Sequence, residues 1–121
     1  MNIGTDIVQI TRIENALEKF GDAFTKRFLN PKERRLATTP QSLAGFWAAK
    51  EAIAKALGCG IGSRLGFHDI HLFKDPRGAP YFTLSAHAQE LHPIRNSSLS
   101  ISHDGGFAIA VVVIEMQPEN S

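Results

Sequence analysis

Gly45-Phe-Trp-Ala-Ala-Lys-Glu-Ala-Ile-Ala-Lys-Ala-Leu-Gly58 is the stretch on which the fold turns. Alanine, lysine, glutamate and leucine, all strong helix formers, dominate it, and Gly58 stands where a left-handed C-terminal cap ends a helix. On a helical period Phe46, Ala49, Ile53, Ala56 and Leu57 share a broad apolar face, and the small alanines admit another backbone at close range. Glu51 and Lys55, four apart, lie along a neighbouring edge. Spacing alone leaves two readings of them: a solvated ion pair contributing about 0.3–0.5 kcal/mol, or a metal ligand beside a phosphate contact.

The remaining composition limits what surrounds this helix. A chain of 121 residues suits one domain, 1–121, with a core small enough that self-association would help it. Hydrophobic content of 43% and charged content of 21% are those of an ordinary globular protein, and a net charge of +1 excludes a strong general affinity for nucleic acid. Cys59 is the lone cysteine and cannot form an internal disulfide. No apolar run approaches the ~20 residues of a membrane span, and Met-Asn-Ile-Gly-Thr-Asp at the start lacks the features of a signal peptide. A reducing cytoplasm is the expected setting, with neither membrane nor nucleic acid as partner.

Residues 2–10, Asn-Ile-Gly-Thr-Asp-Ile-Val-Gln-Ile, read as a largely buried strand interrupted by Asp6. A buried carboxylate is costly unless a cation satisfies it, so either a metal or a salt-bridge partner is expected there. Thr11-Arg-Ile-Glu14 has the form of a capping box opening a short helix that Gly21 ends. Asn30-Pro-Lys-Glu33 repeats the signal for a second helix to about Leu36, and Thr39-Pro40 opens the long one. Among mixed surface charges, Arg12, Lys26 and Arg27 are the candidate basic patch for an acidic protein.

Gly58-Cys-Gly-Ile-Gly-Ser-Arg-Leu-Gly66 is too glycine-rich for regular structure; it serves either as a connector or as a loop whose N–H groups meet a phosphate, with Arg64 adding charge. Phe67-His-Asp-Ile-His-Leu-Phe-Lys74 and Ala79-Pro-Tyr-Phe-Thr-Leu84 form a hairpin across Asp75-Pro-Arg-Gly78. His68 and His71, three apart on a strand, face opposite ways and do not share a metal, while His87 and His92 read as surface residues near a short helix from Ser85. A stronger hairpin joins Ser98-Leu-Ser-Ile-Ser-His103 to the apolar run 107–114 across Asp104-Gly-Gly106, which places His103 at the end of the sheet, where it either caps the turn or meets a ligand. Residues 118–121 are a frayed tail.

Gly4-Thr-Asp6-Ile-Val, Trp47-Ala-Ala-Lys-Glu51-Ala-Ile-Ala-Lys55-Ala-Leu-Gly58 and Leu99-Ser-Ile-Ser-His103, in that order and spacing, resemble the signature of the 4′-phosphopantetheinyl transferases. The short length resembles their holo-[acyl-carrier-protein] synthase branch, and the likeness extends through Arg27-Phe-Leu, Gly60-Ile-Gly62, Asp69-Ile and Gly78-Ala-Pro80. It implies an α+β fold, an antiparallel sheet packed against one long helix and shorter helices. It also implies an enzyme that transfers the phosphopantetheine arm of coenzyme A to a serine of apo acyl carrier protein, with magnesium, releasing adenosine 3′,5′-bisphosphate. On that resemblance Asp6 and Glu51 hold the magnesium ion, Glu51 or a water held by it is the base, and Lys55 stabilises the departing phosphate. His103, Lys55, Gly58, Gly60, Gly62 and Arg64 hold the nucleotide phosphates.

Many relatives in this family carry an arginine at the place of Phe46; Arg64 or a lysine from a neighbouring subunit is the expected substitute charge. The family likeness further implies a homotrimer with sites between subunits, and an acidic carrier docked on Arg12, Lys26 and Arg27. Two alternatives use the same residues: a magnesium-dependent phosphohydrolase acting with water, and a non-catalytic coenzyme A or nucleotide-binding subunit, which has no need of Lys55 beside Glu51.

Overall fold

The computed structural model describes residues 1–118. Strand β1 (Asn2–Gln9) leads into α1 (Ile10–Phe20), α2 (Asp22–Phe28), α3 (Pro31–Leu36) and the long α4 (Pro40–Ala56). After a glycine-rich loop come a 3₁₀ turn (Phe67–Asp69), β2 (Ile70–Lys74), β3 (Pro80–Leu84), α5 (Ala86–Leu91), β4 (Ile94–Asp104) and β5 (Phe107–Met116). The strands make two antiparallel sheets, β1-β5-β4 and β2-β3. The fold is α+β, as expected.

Helix α4 is the centre of the core. From Leu43 to Ala54 only Trp47 and Glu51 keep more than marginal solvent contact. It is buried nearly all round instead of along one stripe, because the sheet lies on one side and α1–α3 with β2 on the other. Thr39 and Ser42 complete a capping box at its start, Pro40 occupies the first turn, and Gly58, at φ 82°, supplies the left-handed exit. The helix-facing side of the sheet is made of small residues, Gly4, Ala108 and Ala110 among them, so backbones approach closely. A Cβ on Gly4 would run into the carbonyl of Ala52 and stand 2.9 Å from the Ala56 methyl, and one on Gly45 would stand 2.8 Å from Ile101 Cγ2.

Four local expectations need correction. Helix α1 begins at Ile10 with Gln9 as N-cap and no side-chain cap bond, so Thr11 and Glu14 form no capping box. The chain passes straight from β1 into α1, and the Ile10 N–H is taken by the Gly106 carbonyl at 2.9 Å, which leaves no non-helical residue for Thr11 to cap. Helix α2 falls between the two expected helices, where no element is expected; on it Phe24 stacks on Trp47 of α4 and Phe28 meets it edge-on, with ring centroids 5.8 and 5.1 Å away. The strand expected from Phe67 begins at Ile70, because Asp69 turns the chain by accepting the Gly66 N–H at 2.9 Å, so His68 lies outside the strand and its carbonyl meets His71 Nε2 at 3.0 Å. His92 is half-buried, its Nε2 shielded from solvent.

The other punctuation is as read: Gly21 ends α1, Asn30 and Glu33 form a reciprocal capping box, and Gly105 and Gly106 both adopt positive φ in the last hairpin. Residues 119–121, most of the expected tail, lie outside the described residues.

The glycines separate into two kinds with different consequences. Gly4→Ala is expected to destabilise the protein by about 3 kcal/mol or more through overpacking. Gly62→Ala, at a site with no atom within 4 Å of an added Cβ, should leave the urea midpoint nearly unchanged. Equal losses in the two variants would contradict the close β1–α4 contact.

Candidate active site

The pleat of β1 puts Gly4, Asp6 and Val8 on the side facing α4 and leaves Ile3, Thr5 and Ile7 outside. Asp6 is thereby carried to the helix edge that bears Glu51 and Lys55. Lys55 Nζ donates to Asp6 Oδ1 at 2.9 Å and to the Thr5 carbonyl at 3.2 Å. Its ion pair is with the strand, not with its helical neighbour Glu51. The lysine side chain is 53% exposed, so the pair adds little to stability, at most about 1 kcal/mol. Its role is to hold charge in place.

Glu51 is half-buried, and its carboxyl is pushed above the usual carboxylate range, first by burial and then by the negative charge of Asp6. Lys55 and Arg12 pull in the opposite direction. Arg12, read from sequence only as a docking residue, therefore acts on the Glu51 carboxylate as well. Two carboxylates that repel each other at one edge suit a hard divalent cation, which removes the repulsion and needs only one or two protein oxygens when phosphates and water complete its shell. No group of three or more His, Cys, Asp or Glu side chains placed to hold a metal ion exists among the described residues.

The phosphate-binding candidates fall at both ends of α4. Gly58, Gly60 and Gly62 follow its C-terminus, with Arg64 exposed in the same loop. His103, on the helix-facing side of β4, shares a cavity of about 250 Å³ with Gln41, Ser42, Gly45, Phe46 and Lys74 near the N-terminal part of α4. From Gly45 to Gly58 the helical rise amounts to ~20 Å, so His103 and the glycine loop of one chain are not neighbours. Phe46 is buried, and the cation beside it is Lys74, with Nζ 5.8 Å from the ring centre, whereas Arg64 belongs to the other end of the helix. Lys26 and Arg27 are exposed in the last turn of α2, where His68 Nε2 meets the Lys26 carbonyl at 2.9 Å.

Sequence reading missed Lys50 and the second role of Glu33. Both are fully buried, 2.9 Å apart. A sign was present: Lys50 follows Phe46 by four positions and precedes Ile53 and Ala54 by three and four, which puts it on an apolar side of the helix.

The raised Glu51 carboxyl gives a signed stability prediction. Folding favours its protonated form, so its contribution is fully present below the unfolded-state value and is lost as pH rises through the folded-state value. Glu51→Gln should therefore melt higher than the wild type at neutral pH without added metal, with the difference shrinking in acid; a lower melting temperature at neutral pH would refute the strain on this carboxylate.

With this geometry in place, the relatives are informative. The model of the 4′-phosphopantetheinyl transferase superfamily matches residues 2–112. The holo-[acyl-carrier-protein] synthase of Sulfurovum sp. is 57% identical over 117 residues, 97% of this chain and 98% of that protein. The crystal structure of the Helicobacter pylori holo-[acyl-carrier-protein] synthase in complex with coenzyme A covers 93% of this chain and 99% of that chain at 50% identity, with a TM-score of 0.91. The synthase from Neisseria meningitidis superposes at a TM-score of 0.84 with 40% identity, covering 94% of this chain and 97% of that chain. The chain belongs to the 4′-phosphopantetheinyl transferase superfamily, alongside the holo-[acyl-carrier-protein] synthases.

Proposed function

We propose that this chain transfers the 4′-phosphopantetheine group of coenzyme A to a serine of apo acyl carrier protein, releasing adenosine 3′,5′-bisphosphate. The observation that carries the reading is the meeting of Asp6, Glu51 and Lys55 at one edge of α4, next to the glycine loop, in a chain whose relatives bear the synthase name. The serine oxygen forms a bond to the β-phosphorus as the bond from that phosphorus to the bridging oxygen breaks, and the bridging oxygen leaves on the α-phosphate of adenosine 3′,5′-bisphosphate. Glu51 accepts the serine proton directly or through one water. Lys55 faces the charge that grows on the departing bisphosphate. Magnesium, held by Asp6 and Glu51, would neutralise charge on the diphosphate. A hydrolase or a pure binding subunit is less well served, since neither uses an acidic protein that Arg12, Lys26 and Arg27 would attract.

The reading extends to assembly. Ile3, Ile7, Phe107, Ile109 and Val111, 38–69% exposed, lie on the outer face of the β1-β5 pair. Such a continuous apolar sheet face is uncommon on a monomer. Packing of copies through this face, as a homotrimer, also brings the glycine loop of one subunit within reach of another subunit's His103, which one chain alone leaves apart. No described helix is long and apolar enough to cross a membrane.

Incubation with coenzyme A, magnesium and apo carrier should add one phosphopantetheine-sized mass to the carrier. Glu51→Gln should lower kcat by about 10²–10⁴-fold, and Asp6→Asn should raise the magnesium requirement. Release of nucleotide without the mass gain would favour the hydrolase. Sedimentation should show a trimer that Ile7→Glu with Ile109→Glu dissociates; a wild-type monomer at working concentration would remove the shared-site reading.

A further inference from the structure

Lys50 lies one residue before Glu51 but points the other way, into the core, where it is fully buried. Its ammonium donates three hydrogen bonds: to the Phe28 carbonyl at 2.7 Å, to Glu33 Oε1 at 2.9 Å and to the Phe67 carbonyl at 3.0 Å. Glu33, equally buried, accepts in return from the Asn30 N–H and from the Leu72 N–H, each at 2.8 Å. Every proton of the ammonium is used, and both carboxylate oxygens are occupied. The acceptors and donors come from separate segments. Phe28 ends α2, whose last turn bears Lys26 and Arg27; Phe67 follows the glycine loop; Leu72 is in β2.

Burying two charges is not an efficient way to gain stability. An apolar pair of similar volume usually does as well or better, and burial pulls the Lys50 ammonium below the ordinary lysine range in spite of Glu33. An apolar pair cannot, however, satisfy the two carbonyls and two N–H groups that this pair gathers. Removing it would take a partner from four backbone groups, two of them, the Phe28 carbonyl and the Leu72 N–H, in buried bonds, and Phe28 and Phe67 belong to the end of α2 and to the residues after the glycine loop.

We propose that the Glu33–Lys50 pair is a positioning device for the transfer site, fixing the docking end of α2 and the end of the glycine loop to the turn of α4 that carries Glu51. Carrier and coenzyme then reach one carboxylate in one geometry. Neither residue touches substrate. The inference rests on the proposed transferase reading, and it adds a role for two residues outside the reacting edge. A displacement of the order of 1 Å at such a site is enough to cost about 100-fold in rate.

The test is the double variant Glu33→Gln/Lys50→Met, which removes both charges together and leaves no lone buried ion. Ile114→Ala, a cavity in the sheet away from these segments, serves as a control for lost stability. Thermal midpoints, kcat, and KM for the apo carrier are measured for each, at a temperature where all are folded. The expected result is a cooperative transition in the double variant, kcat down by about 10–100-fold with a raised KM for the carrier, and near-wild-type constants in Ile114→Ala. Wild-type constants in the double variant, or an equal kinetic loss in the control, would overturn the proposal. Should the double variant not fold, the single Glu33→Asp, which keeps both charges but shortens the reach of the carboxylate to Lys50 and to the Asn30 and Leu72 N–H groups, is judged by the same two criteria. The wild type is assayed first: no transfer there defeats the functional reading and this inference with it, whereas active wild type with kinetically normal variants defeats this inference alone.

Discussion

The backbone of β1 lies directly against the backbone of α4, and most of the molecule follows from that contact. Gly4 leaves no side chain between the strand and the Ala52 carbonyl, and Ala56 supplies only a methyl. The same closeness lets Asn2 Nδ2 reach the Ala56 carbonyl at 3.0 Å and Lys55 Nζ reach the Thr5 carbonyl. A larger residue at position 4 would lift the strand away from the helix and take Asp6 with it. Packing and chemistry are thus set by one steric condition: the strand must be bare where it crosses the helix, so that two residues later its carboxylate meets the helix edge.

At that edge stability and function pull apart. Asp6 and Glu51 repel one another, burial raises the Glu51 carboxyl, and the cations that oppose this, Lys55 and Arg12, are largely exposed and screened. The core elsewhere tolerates the cost: Phe28, Ile53, Leu65, Ile70 and Leu72 are each almost wholly buried, worth about 1.5–3 kcal/mol apiece. Arg12 belongs to both sides of this balance. It stands on the first turn of α1, exposed to solvent, and its field reaches Glu51.

Much of the fold was legible because its punctuation is local chemistry. Asn30-Pro, Thr39-Pro, Gly21, Gly58 and Gly105-Gly106 act where they were read, since a cap or a positive-φ turn depends on residues within a few positions. Thr11-x-x-Glu14 misled for a physical reason: a capping box needs a non-helical first residue, and the hydrogen bond from Ile10 to Gly106, nearly a hundred positions away, removed it. Helix α2 was missed because its seven residues are held by Phe24 and Phe28 against Trp47, a contact that exists only after α4 is in place.

The sequence by itself determined a long alanine-rich helix with a broad apolar face and two antiparallel hairpins after it, and it marked Asp6, Glu51, Lys55 and His103 as the residues to watch. Periodicity and caps are written in neighbouring positions, so they survive without a structure. Only the tertiary structure decided who pairs with whom. Lys55 takes Asp6 and leaves Glu51, Lys50 turns inward to Glu33, Lys74 accompanies Phe46, and His103 is separated from the glycine loop by most of the length of α4. Each of these depends on where a strand crosses a helix and which way a side chain points from that crossing. Charges act through space, and spacing along the chain does not carry that distance.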